Sequence, residues 1–149
     1  MIFPYIRYKI EPTPTIPSGE IRRPLIPVRI IGRTGTIQVF GLLDTGADNV
    51  FVSASLAEVL GIDMSGAAEK ALGAGSHEID VWPGSVDMEI TQDGQSYRWR
   101  AVVGFLTGDD DPPIAYLGHA GFLEHFNAFF DTQKWSVELI PHEDFAGST

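Results

Sequence analysis

Short β-forming runs separated by tight-turn signals are the feature that most limits how this chain can fold. Residues 24–31 and 36–43 are rich in β-branched and other apolar residues, and they flank a turn at residues 32–35 that begins and ends with Gly. Two such runs joined by a Gly-containing turn predict an antiparallel hairpin. Gly (16 residues) and Pro (10 residues) are frequent enough to supply many further turns. We therefore expect a many-stranded β domain rather than a helical bundle.

The same pattern recurs along the rest of the chain. An Asp-Gly pair at residues 93–94 joins one predicted hairpin, and residues 132–134 join another. Residues 53–61 are predicted to be helical, because Ser55 and Glu58 offer a capping box ahead of an apolar face. Strands are also predicted at residues 2–10, 69–82, 84–91, 96–105, 127–131 and 135–140, and a second helical stretch at 120–126. The predicted fold class is all-β with one or two short helices.

Composition narrows the classes of partner. The 149 residues include 20 acidic and 10 basic side chains, giving a net charge of −10. Phosphate contacts need clustered Lys and Arg, so we expect no nucleic-acid partner, and an acidic membrane surface would repel the chain. No apolar run approaches a membrane span, and no signal peptide is predicted at the N-terminus. With no Cys for disulfides, a cytoplasmic protein is the expectation.

The segment Leu42-Leu43-Asp44-Thr45-Gly46-Ala47 is the candidate for chemistry. It places a carboxylate at the end of an apolar strand, where the chain turns sharply. Gly46 permits a close backbone approach, and the Thr45 hydroxyl can fix a neighbouring loop by hydrogen bonding. On these residues alone, an ordinary junction between a strand and a turn is the favoured interpretation.

The surrounding sequence resembles the retropepsins, the retroviral-type aspartic proteases. Residues 23–30, a Gly-containing turn, and then residues 41–48 are similar to the amino-terminal part of that family. Tyr116-Leu117-Gly118 resembles its second signature, a strand that crosses beneath the catalytic loop. From Leu117 to Pro141 the order of motifs is also similar to the end of pepsin-like domains. The resemblance covers about residues 23–141 and implies a closed acid-protease barrel of antiparallel strands.

The resemblance also implies a homodimer. Aspartic protease chemistry uses two facing carboxylates, one ionised and one protonated, and the chain has a single Asp-(Thr/Ser)-Gly. Asp44 of each of two subunits would then meet at a two-fold axis and activate a water molecule that attacks a peptide bond. Asp44, Thr45 and Gly46 are the implied catalytic residues. No metal or organic cofactor is implied.

The other implied site residues fall into two groups. Ala47, Asp48 and Tyr116 are expected to bind a peptide or protein substrate, together with a Gly-tipped flap at Leu72, Gly73, Ala74 and Gly75. An ordinary Gly-rich turn is the alternative for that flap. Leu117, Gly118 and His119 are expected to give structural support.

His119 departs from the family pattern, which has Arg at this position. A pair between Asp48 and His119 is expected to replace the family's acid–Arg pair. Because such a pair weakens as His loses its proton, the dimer is expected to be firmer at mildly acidic pH.

The division of the chain leaves one alternative open. Residues 1–20 are expected to be an N-terminal strand and a Pro-rich linker, serving either as a removable pro-segment or as a strand of the dimer interface. Residues 21–141 form the predicted protease domain, and the polar tail 142–149 is predicted to fray.

Two other functions also remain open. One is a catalytically silent dimer of the same fold that binds peptides, and the other is a monomeric β-barrel that binds a small ligand. The three Asp residues at 109–111 lack the alternate spacing of a calcium loop, and the four His residues lack zinc-like spacing.

Overall fold

The computed structural model describes residues 1–72, 77–107 and 114–149. Most of these residues lie in β-strands, and there is one short α-helix. The strands are β1 (Ile2–Pro4), β2 (Ile6–Lys9), β3 (Glu20–Arg23), β4 (Leu25–Ile31), β5 (Thr36–Leu43), β6 (Phe51–Ser53), β7 (Glu69–Leu72), β8 (Glu78–Gln92), β9 (Gln95–Leu106), β10 (Ile114–Leu117), β11 (Phe126–Asp131) and β12 (Ser136–Pro141). Within the described ranges, helical structure is confined to α1 (Ala57–Leu60) and to single 3-10 turns at Ala54–Leu56 and Leu123–His125.

Six strands close into a barrel. Their order is β4-β5-β10-β6-β9-β8, and β8 pairs with β4 to complete the ring, while β7 extends the sheet from β8. The predicted closed barrel is confirmed. It is mixed rather than wholly antiparallel, because β10 runs parallel to β5 and β6 runs parallel to β9.

The barrel interior is filled by alternate side chains of its strands. Along β8, Val86, Met88 and Ile90 are buried, and the residues between them are more exposed. Val28 and Ile30 of β4 alternate in the same way. This period of two is what a strand with one buried face requires. Burying each such side chain stabilises the fold by about 1.5–3 kcal/mol.

The chain termini form a second, three-stranded sheet with the order β1-β12-β11. Phe3, Val137 and Phe130 lie side by side across these strands and face the core. Phe3 is 2% exposed and Val137 is 1% exposed, so the first residues of the chain are part of the hydrophobic core.

The N-terminal segment differs from its predicted form. The single strand predicted at residues 2–10 is divided at Tyr5 into β1 and β2, which belong to different sheets. The Pro-rich segment 11–20 closes a hairpin of β2 with β3, in which Lys9 pairs with Glu20. A tight turn with hydrogen bonds between Thr13 and Ile16 supports this loop.

Three local predictions are also corrected. Strand β8 runs without a break through residues 83 and 84, since β9 pairs with it along its whole length there. Ser53, not Ser55, caps the helical segment, because its hydroxyl accepts the Ser55 N–H. The stretch 120–126 makes only one 3-10 turn, and Gly121 has a φ of 90°, which a helix does not permit.

The C-terminal tail does not fray as predicted. Phe145 packs its ring against Trp99, at 6.1 Å between centroids, and also against three other aromatic side chains. Ser148 exchanges two backbone hydrogen bonds with Arg98 at the edge of β9. One aromatic anchor and this strand-like pairing therefore dock residues 142–149 onto the barrel.

Candidate active site

The loop that follows β5 holds Asp44 in a tight turn. The Asp44 side chain is half-buried, and its Oδ1 atom accepts the Gly46 N–H at 2.9 Å. The Ala47 N–H donates to the Asp44 carbonyl at 3.2 Å. A carboxylate that accepts a backbone N–H two residues ahead forms an Asx turn, which fixes the direction in which the side chain points.

Strand β10 crosses beside this loop and holds it from below. Leu117 lies opposite Leu43 in a parallel pairing, and the Asp44 N–H donates to the Leu117 carbonyl at 3.2 Å. Just beyond, the His119 N–H donates to the Ala47 carbonyl at 3.0 Å. The two sequence signatures thus form one hydrogen-bonded unit, and the predicted support by Leu117, Gly118 and His119 is placed directly under the loop.

Gly118 is needed for this close approach. A Cβ atom at this position would lie 2.3 Å from the Asn49 carbonyl oxygen and 2.5 Å from the Ala47 carbonyl oxygen. Both contacts are with backbone atoms, so neither can be relieved by a change of side-chain rotamer. The loop can therefore sit on β10 only where the crossing residue lacks a side chain.

The loop forms the floor of a cleft of about 840 Å³. The structure brings six of the predicted site residues to this cleft, and Thr45 lies exposed in the same loop beside it. The six are Asp44, Gly46, Ala47, Asp48, Leu72 and Tyr116. The other predicted flap residues, Gly73, Ala74 and Gly75, lie outside the described residues.

Sequence reasoning missed most of the cleft walls. They are Asn49, Phe51, Lys70, Ala71, Ile79, Val81 and Leu106. Ile79 lies opposite Ala71 in the pairing of β8 with β7, and Val81 is two residues further along the same face. The alternation of charged and apolar residues at 78–81 was the available signal that Ile79 and Val81 share one face of a strand. It could not show which face meets Asp44, because that depends on the register between distant strands.

An ion pair crosses the arm formed by β7 and β8. The Lys70 ammonium donates a hydrogen bond to the Asp80 carboxylate. That hydrogen bond, and then the negative charge of Asp80, raise the pKa of the Lys70 amine above its ordinary value. Both side chains are well exposed, so the pair adds little stability to the arm.

The expected pair between Asp48 and His119 is not formed. Among the described residues, His119 makes no ion pair with Asp48; its Nε2 atom lies 3.0 Å from the Thr45 carbonyl oxygen. The backbone hydrogen bond between His119 and Ala47 holds the residue against the loop, where its ring contacts the Thr45 carbonyl. This pair was expected to make the dimer more stable at mildly acidic pH. Because the pair is absent from the protomer, it cannot give that pH dependence.

Two further features of the described ranges concern metals and membranes. No group of three or more His, Asp or Glu side chains in residues 1–72, 77–107 and 114–149 is arranged to hold a metal ion. Within the same ranges, no helix has the length and apolarity that a membrane crossing demands.

Comparison with known proteins agrees with this geometry. The family model described as aspartyl protease matches residues 26–118, more than half of the chain, from β4 to the Gly118 crossing. A retropepsin-like aspartic protease from Rickettsia conorii has a similar crystal structure, with a TM-score of 0.53 and 18% sequence identity over 91% of this chain and 98% of that one. No curated protein matches the chain. The fold is thus retropepsin-like, and the chain belongs to the aspartyl protease family.

Proposed function

We propose that this protein is an aspartic endopeptidase in which the Asp44 carboxylates of two subunits activate one water molecule. The observation that carries the proposal is the placement of Asp44. Its side chain is fixed by Gly46, its backbone is fixed by Leu117, and it lies on the floor of an open cleft. Family membership supports hydrolysis of this kind, and the loop geometry supports Asp44 as the residue responsible.

A second carboxylate is the reason for a second subunit. Asp48 is the only other acidic residue among the cleft-lining residues that the structure describes. It follows Asp44 by four positions, and the Ala120 N–H binds its carbonyl at 2.8 Å. Its backbone is therefore anchored to the segment that follows β10. A two-fold axis beside the loop brings a second Asp44 to the first and completes the pair.

The terminal sheet supplies a surface for this dimer. Phe130 faces the same side as Phe3 and Val137, yet it is 41% exposed whereas they are buried. The core-facing side of the sheet therefore extends beyond the core of one subunit. A second copy that continues the sheet would cover Phe130 with its own core, and apolar burial would stabilise the association. In this arrangement β1 is the outer strand of the sheet that carries the interface, and its buried Phe3 favours retention of residues 1–20 over their removal as a pro-segment.

The reaction follows from two carboxylates that share one proton. The ionised Asp44 takes a proton from water as the water oxygen attacks the scissile carbonyl carbon, and the protonated Asp44 of the partner subunit donates its proton to the carbonyl oxygen. This gives a neutral diol. A proton then passes to the amide nitrogen as the C–N bond breaks, which releases a carboxylic acid and an amine.

The cleft suits an extended peptide with apolar side chains. Phe51, Val81 and Leu106 form an apolar wall beside Asp44, and Ile79 extends it along β8. The arm of β7 and β8 stands over this side of the cleft and is the proposed flap. Its exposed strand β7 is the edge of the sheet, and such an edge can pair with an extended peptide.

Turnover of a peptide library between about pH 4 and pH 7 tests the proposal. The wild-type protein is expected to cleave peptides with apolar residues at the scissile bond, and Asp44→Asn is expected to be inactive with an unchanged circular dichroism spectrum. Asp63→Asn is the matched control, because Asp63 caps a turn at Ser65 and does not line the cleft. Binding without cleavage by the wild-type protein would favour a silent peptide-binding module, and a monomer without either activity would favour a small-ligand barrel.

A further inference from the structure

The peptide group between Thr45 and Gly46 is held at both ends. Its N–H, from Gly46, donates to Asp44 Oδ1 at 2.9 Å. Its carbonyl, from Thr45, lies 3.0 Å from His119 Nε2. A carbonyl oxygen can only accept, so the imidazole must carry its proton on Nε2 to make this bond. One peptide group therefore connects an imidazole at its carbonyl end to the candidate catalytic carboxylate at its N–H end.

We propose that His119 is a positioning residue that orients the Asp44 carboxylate through the Thr45–Gly46 peptide. This inference rests on the proposed function. With the carbonyl fixed by His119, the plane cannot rotate, and the Gly46 N–H stays aimed at Asp44. A donor on the carbonyl also polarises the peptide, which strengthens the hydrogen bond that its N–H makes.

The position of the imidazole is itself determined by the backbone. His119 follows the Gly118 crossing, and its N–H donates to the Ala47 carbonyl at 3.0 Å. Its own carbonyl accepts the Glu124 N–H at 2.9 Å, at the start of the following 3-10 turn. The residue is thus fixed on both sides, and its ring reaches a carbonyl that lies 74 positions earlier in the chain.

The acidic side chains of the neighbouring segments do not form ion pairs with the His119 ring. Asp44 and Asp48 belong to the loop it contacts, and Glu124 belongs to the turn packed behind it. Glu124 Oε1 accepts the Gly121 N–H at 2.6 Å, and it lies 3.7 Å from His125. In the part of the chain that the structure describes, no carboxylate forms an ion pair with His119. The Thr45 carbonyl therefore does not compete with a carboxylate for the ring N–H.

The role differs from simple support of the fold. The loop is already anchored by backbone bonds from Asp44 to Leu117 and from His119 to Ala47, neither of which uses the imidazole. Removing the ring should therefore leave the loop in place and free only the Thr45–Gly46 plane. The affected quantity is the rate of the chemical step rather than the affinity for peptide.

Two substitutions separate the donor from the ring. His119→Gln retains an N–H donor of similar reach, and His119→Leu removes it at similar size. We expect His119→Leu to lower kcat about tenfold with KM within about twofold, the effect of losing one hydrogen bond that acts in the transition state. We expect His119→Gln to retain most of the kcat.

Nuclear magnetic resonance tests the proposal without relying on cleavage. We expect the His119 ring to carry a proton on Nε2, and a Gly46 amide proton that moves upfield in His119→Leu but not in His119→Gln. A neutral ring protonated on Nδ1 would overturn the proposal in the wild-type protein, even if a variant failed to fold. A Leu variant with the wild-type Gly46 shift and wild-type kcat would overturn it while leaving the proposed function intact. The expected shifts in a protein that cleaves no peptide would support the positioning role and remove the proposed function.

Discussion

The backbone N–H of Asp44 donates to the carbonyl of Leu117 at 3.2 Å, and this bond joins two segments that are far apart in the sequence. Asp44 directly follows β5, and Leu117 ends β10, which runs parallel to β5. The parallel pairing brings both strand ends to the same edge of the barrel. The geometry of the site is therefore a property of the closed sheet rather than of the Asp-Thr-Gly loop alone.

Gly118→Ala is expected to damage the site directly. The added Cβ would clash with two loop carbonyls, so we expect a loss of about 1–3 kcal/mol in the free energy of unfolding, together with a large loss of kcat. Chemical denaturation and turnover measure the two effects. Gly66→Ala is the control, because a Cβ there has no atom within 4 Å and should change stability by less than about 0.5 kcal/mol. Equal stability and activity of the two variants would contradict this account of the crossing.

Phe130→Glu is expected to separate the subunits. In the proposed dimer, a charge on this side of the sheet must be desolvated when the second copy covers it, so we expect dimer dissociation to become easier by about 2–4 kcal/mol. Sedimentation at several protein concentrations measures this. Phe129→Glu is matched to it, because Phe129 is the neighbouring residue on the opposite face of β11 and is 58% exposed. The account predicts that Phe129→Glu leaves the dimer intact; dissociation by both variants or by neither would count against this interface.

Asp131 should make stability depend on acid pH. Backbone hydrogen bonds, first from Lys134 and then from Gln133, together with the Lys134 charge, outweigh desolvation and lower the pKa of the Asp131 carboxyl. A lowered pKa in the folded state stabilises the protein above the ordinary carboxyl range, and this contribution is lost as pH falls through the folded-state value. Asp131→Asn should therefore melt a few degrees below the wild-type protein at neutral pH, with the gap closing in acid.

Thermal melts from neutral pH into the acid range check this expectation. Asp144→Asn changes the net charge equally, but lies in the exposed part of the tail. A gap between the wild-type protein and Asp131→Asn that widened in acid would contradict the sign. A similar gap for Asp144→Asn would assign the effect to net charge instead.

Local signals explain how much of the fold was predictable. The hairpin of β4 and β5 needed only its Gly-containing turn and two β-forming runs, and it formed as expected. Closure of the barrel by β4 and β8 was implied only by the family resemblance, because no local residue pattern encodes a pairing between distant strands. Continuity of β8 past Pro83 depends on β9, whose Gly104 lies opposite. The docking of Phe145 likewise depends on aromatic partners elsewhere in the chain.

The site divides in the same way. Asp44 and Gly118 were predicted because their spacing and neighbours follow a family pattern, and the backbone places them together as that pattern implies. The wall residues Phe51 and Val81 were missed, because only the folded register brings them to the cleft. The predicted partner of His119 was wrong, because the backbone geometry that directs its ring to the Thr45 carbonyl is not visible in the sequence.

The central claim is that one active site contains two copies of Asp44, and mixing subunits tests it most directly. Wild-type and Asp44→Asn subunits are allowed to exchange at constant total concentration, and turnover is measured as the wild-type fraction changes. The account predicts that activity falls with the square of that fraction, to about one quarter when half of the subunits are wild-type. A linear fall, or any cleavage by Asp44→Asn alone, would contradict it.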